Sequence, residues 1–245
     1  MPDKRTHRGA HPDDEQLFAP QTIDFIRRAV ADFSLLLSKG YADKSALKLV
    51  GDRFSLTERQ RIAVMRAACS DGQLASRRSR QTDIGAVAGQ SIAIDGYNVL
   101  ITVEAAMSNA LLFKGRDGCY RDIASIHGTY RKVTETIPAL ELIGRFLAEM
   151  NISQALWLLD SPVSNSGRLK TLIRELAEKS GWPWQIELVI SPDAVLIKTD
   201  MVVASSDSVI LDGCKKWVNL ATEIIKSKLP AARVIDLTDP VIFDL

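Results

Sequence analysis

The sequence predicts an α/β protein. A small N-terminal all-helical domain comes first, followed by a three-layer α/β/α domain around a mostly parallel five-stranded sheet. Two observations carry this. Apolar residues recur at spacings of three and four before residue 70, whereas short apolar runs alternate with helical stripes after residue 90. Charge divides at the same place: residues 1–89 hold 15 Lys/Arg against 11 Asp/Glu, and residues 90–245 hold 16 against 19.

Residues 1–21 are polar, with Pro2, Pro12 and Pro20, and are expected to form a mobile arm. His7 and His11 fall in it and lack the further ligands that a metal site needs. The helical domain spans 22–70. Ile23, Ile26, Val30, Phe33 and Leu37 make one stripe over 22–39, with Thr22 as N-cap and Gly40 as stop. A short helix over Lys44–Val50 follows. Ser55-Leu-Thr-Glu58 then reads as a capping box opening a third helix, with Ile62, Met65 and Cys69 inward and Arg59 and Arg66 flanking them. Residues 71–90, rich in Gly, Ser and Arg, read as a linker.

The α/β domain spans 91–245. Strands are expected at Ser91–Asp95, Ala155–Leu159, Gln185–Ile190, Met201–Ala204 and Arg233–Leu237. Helices are expected at 138–150, Gly167–Lys179 and Lys215–Lys228.

The 245 residues suffice for a sizeable core, and 31 basic against 30 acidic side chains give a net charge of +1. The global charge therefore makes no case for a nucleic-acid or membrane partner. No apolar run is long enough to span a membrane, and the first residues lack the apolar core of a secretion signal. Cys69, Cys119 and Cys214 are far apart and form no CxxC pair, which points to reduced thiols and a cytoplasmic location.

In an open α/β sheet, ligands bind beyond the carboxyl ends of the strands. Four consecutive strands are each followed by an acid there: Asp95, Asp160, Asp193 and Asp207. One carboxylate at such a turn is an ordinary helix cap. Four at one edge repel unless a cation neutralises them, and hard oxygen ligands suit Mg²⁺ or Mn²⁺. The chemistry of such a cluster is phosphoryl transfer or phosphodiester hydrolysis. There is no GxxxxGK[ST] loop, no GxGxxG and no GxSxG elbow, and Cys119 with His127 does not make a nucleophile pair.

Basic residues supply the candidate nucleic-acid contacts. Seven arginines lie between Arg53 and Arg80, among them Arg77, Arg78 and Arg80, against the two acids Glu58 and Asp71. Gly115–Arg131 adds Arg116, Arg121, Arg131, Tyr120 and Tyr130 to a loop expected to face substrate, because arginines contact phosphates and tyrosines stack on bases.

Ile94-Asp95-Gly-Tyr-Asn98, the acid at the end of the second strand and Ser205-Ser-Asp-Ser208 resemble the PIN/NYN-like nuclease superfamily. The chain as a whole, over about 22–240, resembles a prokaryotic family of unknown function. The run LLLSKGYADKSALKLVGDRFSLTERQRIAVMR over 35–66 carries that resemblance in the helical part, and DGCYRDIASIHGTYR and SSDSVILD carry it in the second. The resemblance implies a PIN-like sheet in the order 3-2-1-4-5, which brings Asp95 beside Asp207. It implies a Mg²⁺- or Mn²⁺-dependent nuclease acting on RNA, with Asp95, Asp160, Asp193 and Asp207 as metal ligands and Asn98 orienting a carboxylate or the substrate. The superfamily's glutamate would fall at Glu104 or Glu135. Two alternatives stand beside it: a catalytically degenerate nucleic-acid-binding or scaffold protein, and a phosphotransfer enzyme on a generic doubly wound sheet.

Overall fold

A computed structural model describes residues 7–123 and 130–238. His127 and the rest of 124–129, the first six residues of the arm, and 239–245 lie outside the described residues.

The chain runs α1 (Asp14–Leu17), α2 (Pro20–Ser38), α3 (Asp43–Arg53), α4 (Glu58–Ala67), α5 (Asp71–Arg80), β1 (Ser91–Asp95) and α6 (Gly96–Met107). It continues through β2 (Leu112–Lys114), β3 (Tyr120–Asp122), α7 (Thr136–Glu149), β4 (Gln154–Asp160), α8 (Ser166–Ser180) and β5 (Trp184–Val189). It ends with α9 (Pro192–Lys198), β6 (Val202–Ala204), α10 (Ser208–Gly213), β7 (Trp217–Val218), α11 (Leu220–Lys228) and β8 (Val234–Asp236).

The main sheet has five parallel strands in the order β5-β4-β1-β6-β7, which is 3-2-1-4-5 in the sheet's own sequence order. β1 lies at its centre, between β4 and β6, with Ile92, Ala93 and Ile94 all buried. A strand covered on both faces needs an unbroken apolar run, and Ile-Ala-Ile is one. Ile92, Ile94, Trp157, Leu159, Val202 and Ala204 pack against α6, α7, α8 and α11. Ala93, Leu158, Val203 and Trp217 face α9 and α10 on the other side. This is the expected three-layer α/β/α arrangement.

The fifth strand is not the expected one. Arg233–Leu237 does not join the main sheet; its strand, β8, pairs parallel with β2 in a separate sheet of order β3-β2-β8. The main sheet ends on β7, inside the stretch expected to be helical from Lys215, and α11 begins only at Leu220. Trp217 is fully buried and donates its indole N–H to the Arg77 carbonyl.

The N-terminal helices cover the small sheet. Ile26, Val30 and Phe33 of α2, Val50 of α3 and Val64 of α4 share one core with Phe113, Ile123 and Leu237, and Phe18 lies 4.7 Å from Phe113 between ring centres. α2 starts at Pro20 rather than Thr22, since proline suits the first helical turn. α4 is capped by Thr57 and Gln60 in a reciprocal box, not by Ser55 and Glu58; Ser55 has φ +51°. The register of α4 accordingly buries Ala63, Val64 and Ala67 and leaves Met65 exposed.

The expected linker contains helix α5, opened by a second reciprocal capping box of Ser70 with Gln73. The expected arm is held from its first described residue. His7 lies 2.6 Å from Glu135, Arg8 pairs with the fully buried Glu104 at 2.8 Å, and Arg59 reaches Asp14 at 2.9 Å.

Candidate functional site

The four acids occupy the carboxyl edge of the main sheet. Asp95 closes β1 and Asp160 closes β4; Asp193 stands in the first turn of α9 after β5, and Asp207 caps α10 after β6. Gly96 is what lets β1 turn directly into α6. A Cβ there would lie 2.5 Å from the Leu159 side chain and 2.8 Å from the Leu158 carbonyl.

Asp95 is buried. Loss of hydration pushes its carboxyl up to about 7, and the charges of Asp207 and Asp193 add to the effect. The Ser205 hydroxyl donates to Asp95 Oδ2 at 2.8 Å and opposes the rise. Asp160 and Asp193 are also raised, first by partial burial, then by Asp193 on Asp160 and by Asp207 on Asp193. Asp95, Asp160 and Asp193 therefore each sense at least one neighbouring acid of this edge. The Asp207 carboxylate also accepts from the Val209 amide at 2.8 Å, so it does serve as a helix cap.

Asn98 is held by the loop after β6. Its Oδ1 accepts from the Ser206 amide at 2.8 Å and the Ser206 hydroxyl at 2.9 Å. Ser205 and Ser206, which the sequence reasoning did not single out, thus fix the groups opposite them on β1 and α6. Tyr97 was also missed. Its buried hydroxyl has no hydrogen-bond partner among the described residues, and burial and Asp160 push it up to about 12. The signal was present in each case, since all three residues stand inside the motifs already noted.

Among the described residues, no three His, Cys, Asp or Glu side chains stand close enough together to hold one ion. A cation that takes one or two carboxylates and fills its shell with water, as Mg²⁺ commonly does, would need only a pair of these acids. Neither candidate glutamate joins the edge. Glu104 accepts from Arg8, Tyr130 and Thr136 in the core, and Glu135 faces His7.

Most of the expected nucleic-acid contacts are engaged inside the protein. Arg77 is buried; it pairs with Asp117 at 2.7 Å and Asp212 at 2.7 Å. Arg121 is buried on Asp117 at 2.6 Å and donates from Nε to the Ser206 carbonyl at 2.7 Å. Burial alone would raise the Asp117 carboxyl, but Arg121 and Arg77 outweigh it and hold the group far below the usual carboxylate range. Arg116 binds Asp71 at 2.8 Å, and Arg80 binds the carbonyls of Ser76, Asp212 and Cys214. The Tyr130 ring is buried with its hydroxyl 2.6 Å from Glu104, so it offers no stacking face. Arg78 and Arg131 are exposed.

The family described as "Domain of unknown function (DUF5616)" matches residues 84–223, more than half of the chain. The chain belongs to the DUF5616 family. The acid edge, β1 through β7 and the buried arginine pair with Asp117 all lie in the DUF5616 region, apart from Arg77. Arg77 belongs to a second match, over residues 25–80, to "Protein of unknown function (DUF434)". An uncharacterized protein of Methanocaldococcus jannaschii is 32% identical over 203 residues, covering 82% of this chain and 97% of its own length. No solved structure matches the chain. None of the three cysteines forms a disulfide, and no described helix is long and apolar enough to cross a membrane.

Proposed function

We propose that this protein is a Mg²⁺- or Mn²⁺-dependent nuclease of PIN/NYN-like type that acts on RNA in the cytoplasm. The observation that carries the reading is the buried Asp95 carboxyl, sensing Asp193 and Asp207 at the edge of a 3-2-1-4-5 sheet. Asp95 and Asp207 would hold the metal, with Asp160 and Asp193 adding negative charge. The metal, when bound, supplies a Lewis acid that activates water and stabilises the leaving oxygen. Ser205 keeps one Asp95 oxygen directed, and Ser206 keeps the Asn98 amide N–H₂ free to donate to a carboxylate or to substrate. The exposed Arg78 and Arg131 are the available contacts for the strand, through its phosphates and without base readout.

The test is cleavage of labelled single-stranded and hairpin RNA with Mn²⁺. Asp95→Asn and Asp207→Asn should each lower the rate roughly 100-fold or more, about 2.7 kcal/mol of barrier. Equal activity in wild type and both variants overturns the reading. The absence of a three-acid cluster among the described residues favours one rival, a nucleic-acid-binding protein that does not cleave. Binding without Mn²⁺-dependent cleavage identifies that rival.

A further inference from the structure

A cavity of about 500 Å³ opens between residues 130–132 and the first turns of α8. Its rim holds three cations, Arg131, Lys132 and Arg168, all exposed. No carboxylate lines it among the described residues, and no ion pair engages any of the three side chains there. The wall is apolar, built by Leu169 and Leu172 of α8. The cavity falls in the size range of small-molecule sites, which run roughly 300–1,000 Å³.

The start of α8 adds to the positive field. Asn165 precedes the helix with φ +70° and gives no side-chain cap; its amide nitrogen donates instead to the Tyr130 carbonyl at 3.0 Å. The Ser166 amide donates to the Val163 carbonyl at 3.1 Å, which leaves the Gly167 and Arg168 amides of this 15-residue helix without an acceptor among the described residues, and an anion would supply one. Three cations without an ion pair among the described residues call for an anionic group, and the leucine wall calls for a flat apolar body beside it. A nucleotide joins the two. The cavity is also close to the acid edge in sequence: Asp160 ends β4, and residues 161–165 lead directly into α8. A chain of that length spans at most ~18 Å.

We propose that this cavity binds one nucleoside monophosphate unit, with the phosphate on Arg131, Lys132 and Arg168 and the base against Leu169 and Leu172. The unit is either a free nucleotide or the phosphorylated end of a strand. In the second case the site anchors the substrate of the acid edge, and that part rests on the nuclease reading.

Calorimetric titration of the full chain in EDTA tests it, with AMP, adenosine and a short RNA carrying either a 5′-phosphate or a 5′-hydroxyl as probes. AMP should bind at least about tenfold more tightly than adenosine. Arg168→Glu and the double change Lys132→Ala with Arg168→Ala should each weaken AMP by about tenfold or more at unchanged circular dichroism. The 5′-phosphorylated RNA binding more tightly than AMP assigns the site to a strand end, and equal affinity assigns it to a free nucleotide. AMP that fails to bind, binds no better than adenosine, or is indifferent to both variants overturns the proposal. Because the titration needs no metal, the two readings fail separately. AMP binding in a protein that never cleaves RNA sinks the nuclease alone, and cleavage by a protein that ignores AMP sinks this site alone.

Discussion

A carboxyl group enclosed at the end of a central parallel strand loses hydration in whichever state carries the charge, and Asp95 is such a group. Its raised value, about 7 against an ordinary 3.8, means that the folded chain holds a proton there that the unfolded chain has released. Between those two values the native state binds more protons, so stability falls as pH rises from about 4 to about 7. Asp95→Asn removes this contribution. In EDTA, the variant should be more stable than wild type at pH 7.5 by on the order of 1–3 kcal/mol, and the two should converge near pH 4. Urea denaturation across that range measures the difference. A variant no more stable than wild type at pH 7.5 would show that Asp95 is not protonated by burial. The acid itself was legible from its place after an Ile-Ala-Ile run. Its burial and its serine partner were not, because Ser205 is 110 residues away.

At the scale of elements, a buried ion network joins α5 to the sheet edge. Arg77 and Arg121 share Asp117, and Arg121 extends to the Ser206 carbonyl, whose own amide and hydroxyl hold Asn98. Breaking such a network by removing one partner leaves a charge buried without compensation. Arg77→Ala should cost about 3–5 kcal/mol in chemical denaturation, whereas the neighbouring Arg78→Ala should stay within about 0.5 kcal/mol. Asp117 gives the matching pH signature. Its folded value is depressed, so its stabilisation is present above the unfolded value near 4 and is lost as pH falls below it. Asp117→Asn should abolish that share of the acid lability. The arginine-rich 71–80 stretch illustrates the limit of composition: Gly, Ser and Arg suggested a linker, yet Ser70 and Gln73 already formed a capping pattern. The first arginine of the run, Arg77, turns inward because Asp117 and Asp212 meet it there.

At the scale of the molecule, the N-terminal helices and the α/β part share cores rather than a flexible joint. α2, α3 and α4 bury their apolar faces on Phe113, Ile123 and Leu237, and Trp217 is tied to α5 through the Arg77 carbonyl. Unfolding should therefore be one transition. All four tryptophans, Trp157, Trp182, Trp184 and Trp217, lie in the α/β part, whereas far-ultraviolet circular dichroism also reports the helices before residue 81. The two signals should give the same midpoint in urea. Separated midpoints would show that the helical part unfolds independently.

The sequence by itself determined what local chemistry can encode: helices from their apolar spacing and caps, short buried strands from unbroken apolar runs, and a turn after each strand that carries an acid. The short strands β2 and β3, Leu-Phe-Lys and Tyr-Arg-Asp, have no such signature, because neither holds an unbroken apolar run or enough residues for a period to appear. Only the tertiary structure assigned Arg233–Leu237 to the small sheet, moved the fifth strand of the main sheet to Trp217–Val218, and turned Arg77 and Arg121 from surface cations into buried ones. The reason is physical. Whether Arg77 faces solvent depends on where carboxylates 40 and 135 residues away come to rest, and Arg121 depends on the Ser206 carbonyl 85 residues away; hydrophobic burial of distant segments, rather than any local preference, decides that.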